Sequence, residues 1–145
     1  MQMARRMLRL LARSRDGSVL VETALMITIL LVLMFGIIDL GRALFTASNL
    51  VSAAREGARY GAAYPTNPPD PDSVKLRVIN HFSSFGGPAL TAANITVTPL
   101  PAGGPYESVR VTVTYPFTWI TPIRRFVGNM TNTLHGQAEY HLEQQ

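Results

Sequence analysis

One peptide bond in this 145-residue sequence carries an unusual chemical setting. Gly17-Ser18 follows Arg15-Asp16, five arginines (Arg5, Arg6, Arg9, Arg13, Arg15) precede it, and Glu22 stands five residues after Gly17. A residue without a side chain suits the narrow subsite of a peptidase. A cut after Gly17 would release the whole basic segment and leave a new α-amino group on Ser18, with a reference pKa of about 7.7–8.0. That chemistry is done to the chain, and the groups with which the chain could do chemistry itself are few. The absence of Cys removes disulfides, thiolate metal sites and cysteine nucleophiles, and fits a reducing or an oxidising compartment equally. His81, His135 and His141 are the only imidazoles; His135 and His141 share strand parity but lie about 20 Å apart on an extended strand, too far for one metal. No H-E-x-x-H, G-x-S-x-G, P-loop or G-x-G-x-x-G occurs. We therefore expect no enzyme, no metal site and no cofactor.

The elements that must hold the junction are written in the charge and hydropathy. The net charge of +4 lies entirely in the first 17 residues, and after them eight basic residues balance eight acidic ones. Basicity thus belongs to a leader, and no folded basic face for nucleic acid is left. From Thr23 to Ile38 no residue is charged, with Glu22 and Asp39 at the two flanks. Counted from Ser18, the segment reaches about 31 Å at roughly 1.5 Å per residue, the thickness of a hydrocarbon core. It is apolar on every face, and the rest of the chain is too small to surround it, so a membrane span is expected. The arginine-rich leader, set against Arg42, Arg55 and Arg59 beyond the span, places the N-terminus in the cytoplasm and exports the rest.

The order basic leader, Gly, Glu five residues later, apolar run resembles the class III-type prepilin signal, which a membrane-embedded aspartyl peptidase cuts after Gly. An ordinary secretory signal would end in an A-x-A-like site after the apolar run, and Phe35-Gly36-Ile37-Ile38-Asp39 offers none. Removing the leader would also remove its attraction to an anionic leaflet, about 1 kcal/mol per basic residue. Two readings of Glu22 stay open. Its carboxylate answers the Ser18 ammonium of a neighbouring subunit during assembly, or it snorkels to the cytoplasmic interface.

Apolar and small residues continue at three- and four-residue steps past Asp39: Leu40, Ala43, Leu44, Ala47, Leu50, Val51, Ala54, Ala58 and Gly61. Asp39, Arg42, Thr46, Asn49 and Glu56 are expected on the opposite side, with Asp39 and Arg42 paired three residues apart. Pro65 and Pro68-Pro69-Asp70-Pro71 stop the helix near Ala63 or Tyr64. Ala54, Gly57, Ala58 and Gly61 let a helix backbone approach closely, either to other subunits or to the chain's own C-terminal domain.

Glu22-Thr-Ala-Leu, Gly36-Ile-Ile-Asp-Leu-Gly-Arg42 and Ala53-Ala-Arg-Glu-Gly-Ala-Arg-Tyr-Gly-Ala62 together resemble the signature of the TadE-like family, pseudopilin-like proteins of the tight-adherence (Flp-type) pilus system. The resemblance is close over residues 17–63 and loose beyond. It implies a minor pilin or pseudopilin in the bacterial inner membrane. Its partners would be a prepilin peptidase, other pilins and pseudopilins, an inner-membrane assembly platform with a cytoplasmic ATPase, and membrane lipid. The domain after the helix departs from the short major Flp pilins and points to a minor component.

The expected architecture is α+β and pilin-like. A cleaved leader (1–17) precedes a long helix (18–63, spanning the membrane to about residue 38), a Pro-rich linker (64–72) and a small exported domain (73–145). Within that domain Asp72 or Ser73 is expected to cap a helix running to about Ser83. Asn94–Thr98, Ser108–Phe117 and Thr131–Leu142 alternate as antiparallel strands. Trp119 to Gly128 reads as short helix or loop, and Arg124-Arg125 beside Trp119 and Phe126 as a loop near headgroups or a partner subunit rather than a nucleic-acid groove.

Overall fold

The computed structural model describes residues 15–63, 70–86, 89–101, 107–120 and 132–142. Two helices, a one-turn 3-10 segment and three strands follow one another: α1 (Arg15–Ala63), α2 (Pro71–Ser84), Ala92–Asn94, β1 (Ile95–Leu100), β2 (Ser108–Phe117) and β3 (Asn132–His141). The class is α+β, a long apolar helix followed by a small antiparallel sheet. The chain divides into two compact units, Met1–Ile38 and Asp39–Gln145.

In the first unit α1 is apolar on every face from Thr23 to Ile38, and among the described residues no side chain covers it. Val19, Leu25, Leu30 and Ile37 are 59%, 62%, 65% and 70% exposed. In water such a surface would be untenable, and in hydrocarbon it is the required one. The hydroxyls of its two threonines are satisfied within the helix, Thr23 Oγ1 donating to the Val19 carbonyl and Thr28 Oγ1 to that of Ala24, each at 2.8 Å. This is how polar side chains are tolerated at membrane depth. The helix is long and apolar enough to cross a membrane.

In the second unit the C-terminal part of α1 and all of α2 pack on one face of the sheet. The strands run antiparallel in the order β1-β2-β3. Val109, Val111 and Val113 of β2, all fully buried, point inward. Beside them in register stand Ile95 and Val97 on β1 and Gly136 and Ala138 on β3. The period of two along β2 is thus used in full, and Arg110 on the other face bonds Glu139 across the ladder at 2.8 Å. β1 runs through Pro99, which is tolerated because β1 is an edge strand.

The start of α2 differs from expectation: Asp70 is the N-cap. Its carboxylate accepts from the backbone N–H groups of Asp72 and Ser73, both at 3.2 Å, and Pro71 takes the first helical position, where a missing N–H costs nothing. Gly86, at φ +68°, ends the helix by donating its N–H to the Ser83 carbonyl at 3.0 Å. Val74, Val78 and Phe82, one turn apart on α2, fill the space between α1 and the sheet.

Candidate functional site

Gly17 and Ser18 lie in the first turn of α1, and both are exposed. The first N–H groups of a helix have no intrahelical acceptor, so opening this turn breaks few hydrogen bonds. Glu22, one turn further on, is also exposed and forms no ion pair among the described residues. A helix beginning at Ser18 would hold this carboxylate near its positive end.

One residue beyond the apolar run, Asp39 is only 1% exposed. Arg42 Nη1 donates to its Oδ1 at 3.2 Å, and the backbone N–H of Ile120 donates to the same oxygen at 3.3 Å. Arg42 in turn lies over the Phe117 ring, 5.4 Å from its centroid, and Trp119 meets Phe117 edge-on at 5.4 Å. The Asp39–Arg42 pair thus does more than bridge one helical turn. It fixes the chain leaving β2 against the helix at the foot of the second unit.

The small residues act within the chain. Ala54 and Ala58 are completely buried, and Gly57 and Gly61 face α2 and β2. A Cβ at Gly57 would overlap Val78 Cγ2, and one at Gly61 would stand 3.2 Å from both Val109 Cγ1 and Val74 Cγ2. These positions are occupied by the chain's own core, which leaves the other side of α1 as its free surface.

The Glu56–Arg59 pair, three residues apart, follows from the helical spacing, and other partnerships cross between elements. Glu56 bonds Arg59 at 3.0 Å and, across to α2, Arg77 at 2.8 Å. Burial pushes its carboxyl up, yet the hydrogen bonds and charges of Arg77 and Arg59 outweigh burial and hold it below its usual 4.5. Glu139 is likewise held low, by the hydrogen bond from Arg110 first and then that from Ser108. His81 Nε2 stands 3.2 Å from Ser52 Oγ, a link between the two helices. His135 and His141 are exposed on β3, and among the described residues no three His, Asp or Glu side chains form a metal-binding group. A cleft of about 420 Å³ lies between α1 and the end of β2, with Arg42, Thr46, Asn49, Tyr115 and Phe117 among its walls.

The expected facing of α1 needs one correction. Leu50, Ala54, Ala58 and Gly61 are buried as the stripe requires, but Leu40 and Leu44 are 56% and 63% exposed, while Asp39 and Asn49 are buried. The helix is rotated so that its first polar turns face the domain, because Ile120 and Phe117 there supply partners for Asp39 and Arg42. Arg124, Arg125 and Phe126, expected in a headgroup or partner loop, lie outside the described residues.

Junction, span and amphipathic turns thus follow one another on a single helix, and the comparison with known families falls on that helix. Residues 17–59 match the TadE-like protein family. The matched stretch holds Gly17, Ser18, Glu22, Asp39, Arg42, Ala54, Gly57 and Ala58; Gly61 and the whole sheet lie beyond it. Comparisons with curated proteins and with solved structures gave no match. The TadE-like segment points to involvement in Tad pilus assembly.

Proposed function

We propose that this chain is a minor pilin-like subunit, a pseudopilin, that takes part in assembling a Tad/Flp-type pilus used for adherence or secretion. A prepilin peptidase cuts it after Gly17. The span then holds it in the bacterial inner membrane with the N-terminus in the cytoplasm and the second unit exported. Other pilins and the inner-membrane platform handle it from there, and it works as a structural component, without a catalytic site or cofactor.

The observation that carries this reading is the TadE-like helix itself, uncovered by any described residue through its apolar part and bearing the exposed Gly17–Ser18 pair near its start. A helix with no intramolecular cover needs lipid before assembly and other helices after it. The Arg-rich leader fits the orientation, and its removal takes away the charge that resists extraction from the bilayer.

A rival reading is an uncleaved bitopic protein whose outer unit is a binding or scaffold module. It has one observation in its favour: α1 already runs through the junction from Arg15. N-terminal sequencing of membrane-extracted protein decides between them. A mature chain starting at Ser18 supports the pseudopilin, and an intact leader in cells that contain the peptidase refutes it. Gly17→Leu should abolish processing by crowding the subsite; a variant cut as efficiently as the wild type would place the site elsewhere.

A further inference from the structure

The cleft between α1 and the end of β2 lies wholly within the second unit, and its walls carry hydrogen-bonding groups that the fold leaves unused. Asn49 is 8% exposed and lines the cleft. Its amide forms no hydrogen bond with any described residue, and neither of its polar atoms is sealed from the surface. Buried side-chain amides normally find partners within the fold; this one opens into the cleft instead. Thr46, Tyr115 and Thr118 line the same cleft, and their hydroxyls likewise have no bond to a described residue.

We propose that this cleft binds an uncharged sugar. The density of polar groups is the first argument. Asn49 offers a donor and an acceptor, each hydroxyl can act as both, and Arg42 spends one N–H on Asp39 among the described residues and keeps the others. A compact ligand meets so many groups within about 420 Å³ only if most of its carbons carry an oxygen that both donates and accepts. A stretch of polypeptide of that volume brings a few amides and leaves most of these groups unpaired.

The apolar wall is the second argument. Phe45 borders the cleft and is 58% exposed, so its ring is open to the C–H face of a pyranose, whereas Phe117 is 2% exposed with Arg42 over its ring. The third concerns charge. Arg42, the charged side chain of the wall, is paired with the Asp39 carboxylate at 3.2 Å. The pair is close to neutral, which suits a ligand without charge and leaves the guanidinium as a planar fork of donors for hydroxyls. All of these groups belong to the second unit, so the site does not depend on whether the leader is cut.

Trp119, the only tryptophan in the chain, meets the Phe117 ring of the cleft wall edge-on at 5.4 Å and reports on it. The full chain would be held in a zwitterionic detergent without sugar headgroups and titrated with maltose, cellobiose and lactose, and in parallel with glucuronic and galacturonic acid. We expect a neutral disaccharide to change Trp119 emission saturably and the acids to bind no more tightly; equilibrium dialysis of labelled sugar detects binding to which Trp119 is silent. Asn49→Leu replaces the amide by an apolar group of the same branched outline. Because that amide has no partner in the fold, the variant should melt no lower than wild type while binding about tenfold more weakly. Phe45→Ala, at an exposed position, should keep the fold and weaken binding by a similar factor. If none of the disaccharides binds by either measure, or if only the acids do, the proposal is wrong. Binding that both variants retain at full strength places the sugar elsewhere and overturns it equally. A fall in the melting midpoint of Asn49→Leu would show that the amide serves the fold, which refutes the premise of the site.

Discussion

Replacing Gly136 with Ala should destabilise the second unit more than a methyl group added to any other of its described glycines. Gly136 sits on β3 opposite Val113, where the strand crosses beneath α1. A Cβ there would stand 2.5 Å from the Leu50 carbonyl carbon, 2.6 Å from its oxygen and 2.8 Å from the Val51 nitrogen. All three are helix backbone, so no rotamer change relieves the overlap, and either α1 or β3 must move away from a core in which Leu50 is completely buried. Overpacking costs typically about 1–3 kcal/mol, and an immovable backbone argues for the upper end. Replacing Gly in a strand returns roughly 0.5–1 kcal/mol of that. The net loss of about 2 kcal/mol corresponds to a fall of about 8–16 °C in melting midpoint for a domain of this size. Far-UV circular dichroism of the full chain in detergent would follow the transition, with Gly41→Ala as the control. Gly41 is an exposed helix position with nothing within 4 Å of an added Cβ, so Ala should there raise stability by up to about 1 kcal/mol. If Gly136→Ala melts with the wild type, the close approach of β3 to α1 is wrong.

Asp39→Ala should cost about 1–3 kcal/mol by leaving the Ile120 N–H without its acceptor, and the loosened segment should shift Trp119 emission to the red; an unchanged spectrum would show that Asp39 does not hold it. Glu56 has a folded-state pKa below its usual 4.5, so its contribution to stability is complete above that value and is lost as pH falls through the folded-state one. In urea titrations Glu56→Gln should therefore be less stable than wild type at neutral pH and should lose less on acidification; equal slopes for the two proteins would remove Glu56 from the acid response. Glu22→Gln should insert and be processed normally but crosslink poorly to other pilins if its charge meets a neighbour's Ser18 ammonium, a buried pair costing about 3–5 kcal/mol to break from one side. Equal crosslinking returns Glu22 to the role of an interface anchor.

The elements were largely legible in the sequence because each rests on a local signal. The uncharged run from Thr23 to Ile38 marks the apolar part of α1, the prolines after Tyr64 agree with its end at Ala63, and the alternation from Ser108 to Phe117 is β2 residue for residue. The shift of the α2 cap to Asp70 was readable from Asp70-Pro71, since a capping carboxylate directly before a first-turn proline is itself a start signal. Contacts between distant segments left no such trace. Nothing in the spacing of Glu56 and Arg77, or of Ser52 and His81, shows that α2 lies alongside α1 in the register that joins them.

Most instructive is the turn of α1 that follows the span, where hydrophobicity pointed to the wrong face. A periodicity argument assumes that apolar side chains face the core because the other side faces water. That assumption fails when the other side is lipid. If the proposed function holds and lipid borders this turn, Leu40 and Leu44 lose little by facing outward, whereas an outward Asp39 would meet headgroups or acyl chains without a partner. Folding the carboxylate inward, onto the Arg42 guanidinium and the Ile120 N–H, satisfies it and leaves Leu40 and Leu44 facing outward. From about Leu50 onward the usual rule returns, and the alanines and glycines of the stripe are buried as the sequence indicates.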